Sequence, residues 1–83
     1  MTLSAGDMVL ALLASRSLDA TVCPSEVARA IASGAGWRDV MPMVHSAVDR
    51  LVQEGMVRLS WKGKALETRD GAYRIARGDR RST

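Results

Sequence analysis

A helix that ends at a glycine and passes directly into an alternating strand is the feature that most constrains this sequence. Residues 51–59 read Leu-Val-Gln-Glu-Gly-Met-Val-Arg-Leu. Gly55 supplies the left-handed backbone conformation in which many helices end, because glycine lacks the Cβ atom that disfavours it. Beyond it, apolar Val57, Leu59 and Trp61 alternate with polar residues, which is the period of a half-buried strand. The junction therefore predicts a helix followed at once by a β-hairpin.

Length and composition limit the remaining possibilities. The 83 residues suffice for one domain, and the 47% apolar content supplies one core and excludes general disorder. The single cysteine, Cys23, cannot form an internal disulfide, which fits a reducing compartment. The apolar residues 8–14 follow Asp7 and no basic residue, unlike a secretory signal, and no segment approaches the roughly 20 apolar residues of a membrane span. We expect a soluble, cytoplasmic protein that does not enter a membrane.

The positive charge is concentrated in the last third of the chain. The formal net charge is +3. Residues 1–55 contain four basic and six acidic side chains, whereas residues 56–83 contain eight basic and three acidic ones. The predicted hairpin and the tail that follows it are therefore basic, while the predicted helices are slightly acidic.

The first helix is predicted to begin near Ser4. With Ser4 as the N-cap, Asp7 occupies the third helical position, where its carboxylate completes a capping box and complements the helix dipole. Leu3 and Met8 then have the spacing of a hydrophobic staple across the helix start.

Two further helices are predicted before the junction. Residues 21–23 are β-prone and favour a short strand, after which Pro24 begins the second helix. Residues 33–36 contain two glycines and end that helix. The third helix is predicted over residues 39–54, with Asp39 as its N-cap. Its inward positions are Val40, Val44, Val48, Leu51 and Val52, and its outward positions are Pro42, His45, Ser46, Asp49, Arg50 and Gln53.

The hairpin is predicted to consist of strands at residues 56–61 and 72–77 joined by a long basic loop at residues 62–71. In the second strand, Tyr73 and Ile75 point inward. The whole domain then spans residues 1–77, and the charged residues 78–83 form a flexible tail.

Two segments resemble known bacterial domains. Residues 25–31 and 48–57 are similar to the second helix and to the helix–wing junction of winged helix-turn-helix domains. Residues 23–30, followed by Trp-Arg-Asp-Val-Met-Pro at 37–42, resemble the bacterial domain of unknown function 3253 family. The resemblance implies an α+β winged helix, with three helices and a C-terminal two- or three-stranded antiparallel wing. It implies no established activity.

Carried onto this chain, the winged-helix resemblance implies two sets of candidate DNA contacts. The third-helix set is Arg38, Met43, His45, Ser46 and Arg50, with Asp49 on the same exposed face. The wing set is Lys62, Lys64, Arg69 and Arg74. The third helix carries few basic or amide side chains, and the carboxylate of Asp49 repels phosphate, so the wing is expected to contribute more than base reading does.

Each of these groups also has a structural interpretation. In this interpretation the wing cations serve only to solvate the hairpin. His45 is an incidental surface histidine, and Trp37 covers the core with Arg38 exposed beside it. Among the methionines, Met41, Met43 and Met56 suit core filling or an adaptable contact surface.

No enzyme, metal or cofactor site is expected. His45, Ser46 and Asp49 do not form a catalytic triad by spacing, because adjacent helical residues diverge by about 100° and no nucleophile elbow is present. Cys23 has no ligand partner at the spacing of a zinc site.

The sequence supports two candidate functions of different classes. The first is binding of double-stranded DNA with limited base specificity. The alternative is a protein-interaction or homodimerisation module that does not bind DNA.

Overall fold

A computed structural model describes residues 4–32, 34–69 and 71–78, which fold into three α-helices, one 3₁₀-helix and four strands. In chain order these are α1 (Ala5–Ala14), β1 (Thr21–Val22), α2 (Pro24–Ile31), the 3₁₀-helix η1 (Gly34–Val40), α3 (Met41–Gln53), β2 (Val57–Trp61), β3 (Lys64–Leu66) and β4 (Arg74–Arg77). The helices pack on one another and on an antiparallel sheet. The predicted α+β class and winged-helix arrangement are confirmed.

The predicted starts of α1 and α2 are confirmed at the level of hydrogen bonds. Asp7 N–H donates to Ser4 Oγ at 3.1 Å, and Ser4 N–H donates to Asp7 Oδ2 at 3.4 Å, which is the predicted capping box. At α2, Cys23 N–H donates to Glu26 Oε1 at 3.0 Å, one residue before Pro24 begins the helix. The predicted staple involves Leu3, which lies outside the described residues.

The predicted start of the third helix is one residue too early. α3 begins at Met41 rather than after an Asp39 cap, and Pro42 occupies its second position. Proline has no N–H, and in the first turn of a helix that group would be unpaired in any case, so Pro42 is tolerated at this position. The residues before α3 form η1. The sequence pattern had predicted that residues 33–36 end the second helix and that the third helix is capped by Asp39.

The glycine junction forms as predicted. Gly55 has φ 75°, and two backbone bonds close the end of α3: Met56 N–H donates to Leu51 O, and Gly55 N–H donates to Val52 O, both at 3.0 Å. The chain later returns to this point, where Gly78 N–H donates to Met56 O at 2.8 Å. Residues 79–83, the rest of the predicted tail, lie outside the described residues.

The prediction of one long loop at residues 62–71 is wrong in part, because this segment contains β3. Lys62 and Gly63 form a two-residue turn with φ values of 52° and 81°. Turns with two positive φ angles match the twist of a hairpin, so β2 and β3 pair tightly. The strand order is β1-β4-β2-β3, which places β4 between β1 and β2.

The core lies between the helices and one face of the sheet. Its fully covered side chains include Val9, Val22, Val27, Val44, Val48 and Ile75. Trp61, expected to point inward, is 40% exposed, because it is the last residue before the turn and its cross-strand neighbour is the exposed Lys64. Within the described ranges, the helices lack the length and apolar character that a bilayer crossing requires.

Candidate nucleic-acid interface

The outer face of α3 presents three of the predicted contact residues to solvent. Val44, Ala47, Val48 and Leu51 are buried. The helical period therefore exposes Met43, Ser46 and Arg50, together with Pro42 and Gln53. This face also borders a groove of about 320 Å³ against the start of α1, lined by Ser4, Ala5, Gly6, Met43, Ser46, Ala47 and Arg50.

Two other outward predictions on α3, His45 and Asp49, lie one helical turn apart on the side that faces the wing. His45 is half-buried, and its Nδ1 lies 2.6 Å from the hydroxyl of Tyr73. Asp49 accepts two hydrogen bonds from Arg69, at 3.0 and 3.1 Å. We call these two pairs the helix–wing tie, because they attach α3 to the segment that leads into β4.

The helix–wing tie sets the protonation of its members. Burial, reinforced by the nearby Arg69 charge, lowers the pKa of His45, while the Asp49 charge opposes this effect. Burial raises the pKa of Tyr73 to about 12. The hydrogen bonds from Arg69 lower the pKa of the Asp49 carboxyl. At neutral pH, Tyr73 therefore keeps its proton and His45 is neutral, beside a charged ion pair, and the tautomer of His45 decides which of the two donates.

The wing candidates divide into two kinds. Lys62 and Lys64 are exposed at the hairpin turn, and neither makes a side-chain hydrogen bond or ion pair within the described residues. Arg69 is engaged by Asp49, and Arg74 reaches across the sheet to Thr21, with Nε 2.6 Å from Thr21 Oγ1. Only the two lysines combine exposure with an unused charge.

Two more arginines of the basic C-terminal segment have structural roles that the sequence pattern did not indicate. Arg77 Nη2 donates to Leu13 O at 2.6 Å and to Arg16 O at 2.8 Å, so it satisfies carbonyls at the end of α1. Arg58 Nε donates to Arg77 O at 3.0 Å. Much of the positive charge counted in this segment is therefore used inside the fold.

A further cationic group lies where α2, η1 and α3 meet. The guanidinium carbon of Arg38 lies 4.6 Å from the ring centroid of Trp37, and that of Arg29 lies 4.7 Å from it. Both arginines are exposed, and Trp37 is half-buried against the core. Arg38 was a predicted contact residue. Arg29 was not, because only the fold brings it to Trp37.

A second groove, of about 290 Å³, lies between α3 and the wing, and its walls include Asp49, Val52, Leu59, Glu67 and Arg69. The helix–wing tie forms part of its rim. Across residues 4–32, 34–69 and 71–78, no three His, Cys, Asp or Glu side chains converge in a way that could hold a metal ion.

Comparison with known proteins adds a family and no activity. A family model described as "Protein of unknown function (DUF3253)" matches residues 3–78. This range includes every helix and strand described above. No curated protein matches the chain.

Proposed function

The chain belongs to the DUF3253 family of proteins of unknown function, and we propose that it is a member of the winged helix-turn-helix superfamily that binds double-stranded DNA. In this proposal most of the affinity comes from phosphate contacts, and base reading is limited. The role is one of binding without catalysis, in the bacterial cytoplasm. The free thiol of Cys23 suits that compartment.

The observation that supports the proposal is a set of five exposed cations, distributed over the helix-turn-helix and the wing. Within the described residues, none of the five lies in an ion pair or donates a side-chain hydrogen bond. They are Arg29, Arg38, Arg50, Lys62 and Lys64. By contrast, Arg16 and Arg69 are neutralised by carboxylates. Exposed charge that the fold does not use is what phosphate binding requires.

The side chains on the exposed face of α3 support limited rather than specific recognition of bases. Arg50 and Gln53 are its long polar side chains, Ser46 is short, and Met43 offers only apolar contact. Bidentate base recognition uses Arg, Lys, Asn or Gln side chains, and few of these are present. His45 and Asp49 are held by the wing, so base contact by either would require the helix–wing tie to open.

A salt titration of duplex binding tests the proposal directly. If three to five phosphates are neutralised, log K against log salt should have a slope of roughly −3 to −4.5. Replacing Lys62 and Lys64 together by glutamine should make that slope shallower by about 1.8, because about 0.9 is lost per phosphate contact.

A matched control separates local contact from overall charge. Leu18 is 77% exposed and lies outside the helix-turn-helix and the wing. Replacing Leu18 and its exposed neighbour Ser17 by glutamate lowers the net charge as much as the double lysine variant does. The lysine variant should lose more affinity than this control. An equal loss in both variants, or no duplex binding at about 50 mM salt, would contradict the proposal.

Two exposed apolar side chains favour a second candidate function, which is contact with another protein or with a second copy of this chain. Met43 is 48% exposed beside the groove between α1 and α3, and Trp61 is 40% exposed near the wing turn. Exposed apolar surface of this kind is typical of interaction sites only when it is contiguous. Sedimentation at rising concentration distinguishes the two, since a strict monomer would count against self-association.

A further inference from the structure

Two arginines from different elements meet on one tryptophan. Arg29 lies in the last turn of α2 and Arg38 in η1, and both guanidinium carbons lie within 4.7 Å of the Trp37 ring centroid. Trp37 packs against the core, so its ring is held by the fold rather than by the arginines alone.

The positive charges of these two arginines are not balanced by a carboxylate among the described residues. The ion pairs among the described residues are Arg16–Glu26 and Arg69–Asp49, so neither Arg29 nor Arg38 has a carboxylate partner there. Asp39 follows Arg38 directly, and its carboxylate is not within ion-pair distance of either guanidinium. Two like charges beside one ring repel each other, and an anion bound close by would relieve that repulsion.

The stacking also determines what the guanidinium groups can still bind. A guanidinium that lies over an aromatic ring uses its face, while its five N–H donors lie in its own plane. Neither Arg29 nor Arg38 donates a side-chain hydrogen bond to another described residue. The ring thus limits the freedom of two sets of planar donors without using those donors.

We propose that Arg29, Trp37 and Arg38 form a binding site for a phosphate group, which we call the arginine–tryptophan fork. Planar guanidinium donors match the oxygen spacing of phosphate and bind it in a bidentate manner. The proposed function supplies the source of the phosphate, the DNA backbone, and the inference rests on it for that source alone. A free phosphate ion would present the same chemistry.

The fork would add a second phosphate contact to that of the wing. Arg38 precedes α3, and the lysines of the hairpin turn follow it. The fork would therefore supply a phosphate contact from a different part of the chain than the hairpin turn.

Trp37 itself supplies the readout for an experiment. The chain has two tryptophans, so replacing the exposed Trp61 by phenylalanine leaves Trp37 as the only one. In this W61F background we would titrate inorganic phosphate, and separately a short duplex, at constant ionic strength while recording fluorescence. Chloride serves as the blank. We expect a saturable change in Trp37 fluorescence with both phosphate and duplex.

Charge-conserving variants test whether the planar donors matter. Arg29→Lys and Arg38→Lys keep the charge but lose the planar donor set, so each should weaken the Trp37 response by about threefold or more. Arg58→Lys is the matched control, because Arg58 is exposed, is not one of the five cations above and does not contact Trp37, and it should leave the response unchanged. Circular dichroism and the thermal midpoint establish that each variant is folded.

The outcomes separate this inference from the proposed function. If the duplex binds by anisotropy but neither duplex nor phosphate changes Trp37 fluorescence, the fork is wrong and DNA binding stands. If phosphate changes the fluorescence and no duplex binds, the fork stands with a small phosphate as its ligand and the DNA proposal fails. Equal binding by the lysine variants and the parent overturns the fork.

Discussion

His45 and Tyr73 share a hydrogen bond of 2.6 Å that joins the middle of α3 to the residue before β4. Their rings are also in contact, with centroids 5.6 Å apart and planes inclined by 55°. One helical turn further along α3, Asp49 and Arg69 repeat the connection with an ion pair. The wing is therefore attached to α3 by side chains as well as by the junction at Gly55.

Tyr73→Phe should destabilise the fold by about 1 kcal/mol, because the phenyl ring keeps its packing while the half-buried Nδ1 of His45 loses its partner. Urea denaturation of the parent and the variant measures this difference. In a double-mutant cycle with His45→Ala, most of this loss of stability should be coupling energy between the two residues. A cycle that shows no coupling would mean that the hydrogen bond does not contribute.

The hydroxyl of Tyr73 should ionise near pH 12 in the folded protein, against an ordinary pKa of 10.0. Tyr73 is the chain's one tyrosine, so its absorbance near 295 nm reports this titration without interference from another phenol. Because the folded pKa is raised, the unfolded chain releases this proton first, and stability falls as the pH rises from 10 towards 12. The midpoint should return to about 10 in denaturant.

Stability should also decrease as the pH falls below the ordinary histidine pKa of 6.5. The folded state lowers the pKa of His45, so the unfolded chain binds this proton first, and the contribution is complete above 6.5 and lost on acidification towards the folded pKa. Denaturation midpoints between pH 7 and 5 should show this decline in the parent.

The His45→Gln variant should show a flatter profile over the same range, since His45 is the chain's one histidine. The carboxyls of Asp49 and Glu26 also have lowered pKa values. Their loss of stability begins only as the pH falls to about 5 and below, and so does not obscure the histidine above that pH. An unchanged slope in His45→Gln would contradict the assignment.

Asp49→Asn should strengthen duplex binding about two- to fivefold at low salt and make the salt slope more negative by up to about 0.9, because Arg69 becomes available to a phosphate. Its cost in stability should stay under about 1 kcal/mol, since both side chains of the pair are more than one third exposed. Asp19→Asn makes the same charge change at an exposed site before β1. If Asp19→Asn has an equal effect on binding, Arg69 is not the reason.

Gly78→Ala should destabilise the fold by about 1 to 3 kcal/mol, the usual cost of overpacking. A Cβ atom at Gly78 would meet the carbonyl oxygen of Gly55 and would lie 2.6 Å from Met56 C and 2.8 Å from Val57 N. These are backbone atoms, so they cannot turn aside as a flexible side chain would. Thermal or urea unfolding measures the loss.

Gly36→Ala is the control for that substitution, because its φ is not in the left-handed region and nothing lies within 4 Å of its Cβ position. It should be neutral or stabilising by up to about 1 kcal/mol, since alanine has fewer unfolded conformations than glycine. Equal losses in the two variants would show that the contact at Gly78 is not responsible.

Local features of this fold could be predicted from the sequence, and distant pairings could not. The cap at Ser4 and the helix end at Gly55 depend on residues no more than a few positions apart. Arg77 reaches Leu13, 64 residues away, and Arg69 reaches Asp49, 20 residues away. Nothing in their sequence neighbourhoods distinguishes them from solvent-exposed arginines. Counting charge along the chain therefore overstated how much of it was available to a ligand.

The same distinction between local features and distant pairings holds for the candidate site. Exposure of Met43, Ser46 and Arg50 could be predicted, because the helical period of α3 determines it. Attachment of His45 to the wing could not, since Tyr73 lies 28 residues away. Strand β3 was missed because Lys62 has a positive φ that lysine rarely adopts, so the turn lacked the usual sequence signal.

The position of β4 has a consequence for how the protein is made. β4 is the last of the described strands along the chain, yet it lies between β1 and β2 and pairs with both. Until residues 74–77 have left the ribosome, β1 has no partner and β2 can pair only with β3. The sheet is therefore completed only after α1, α2 and α3 have been synthesised, and a nascent chain held just short of β4 would leave β1 and one edge of β2 unpaired and open to chaperones and proteases.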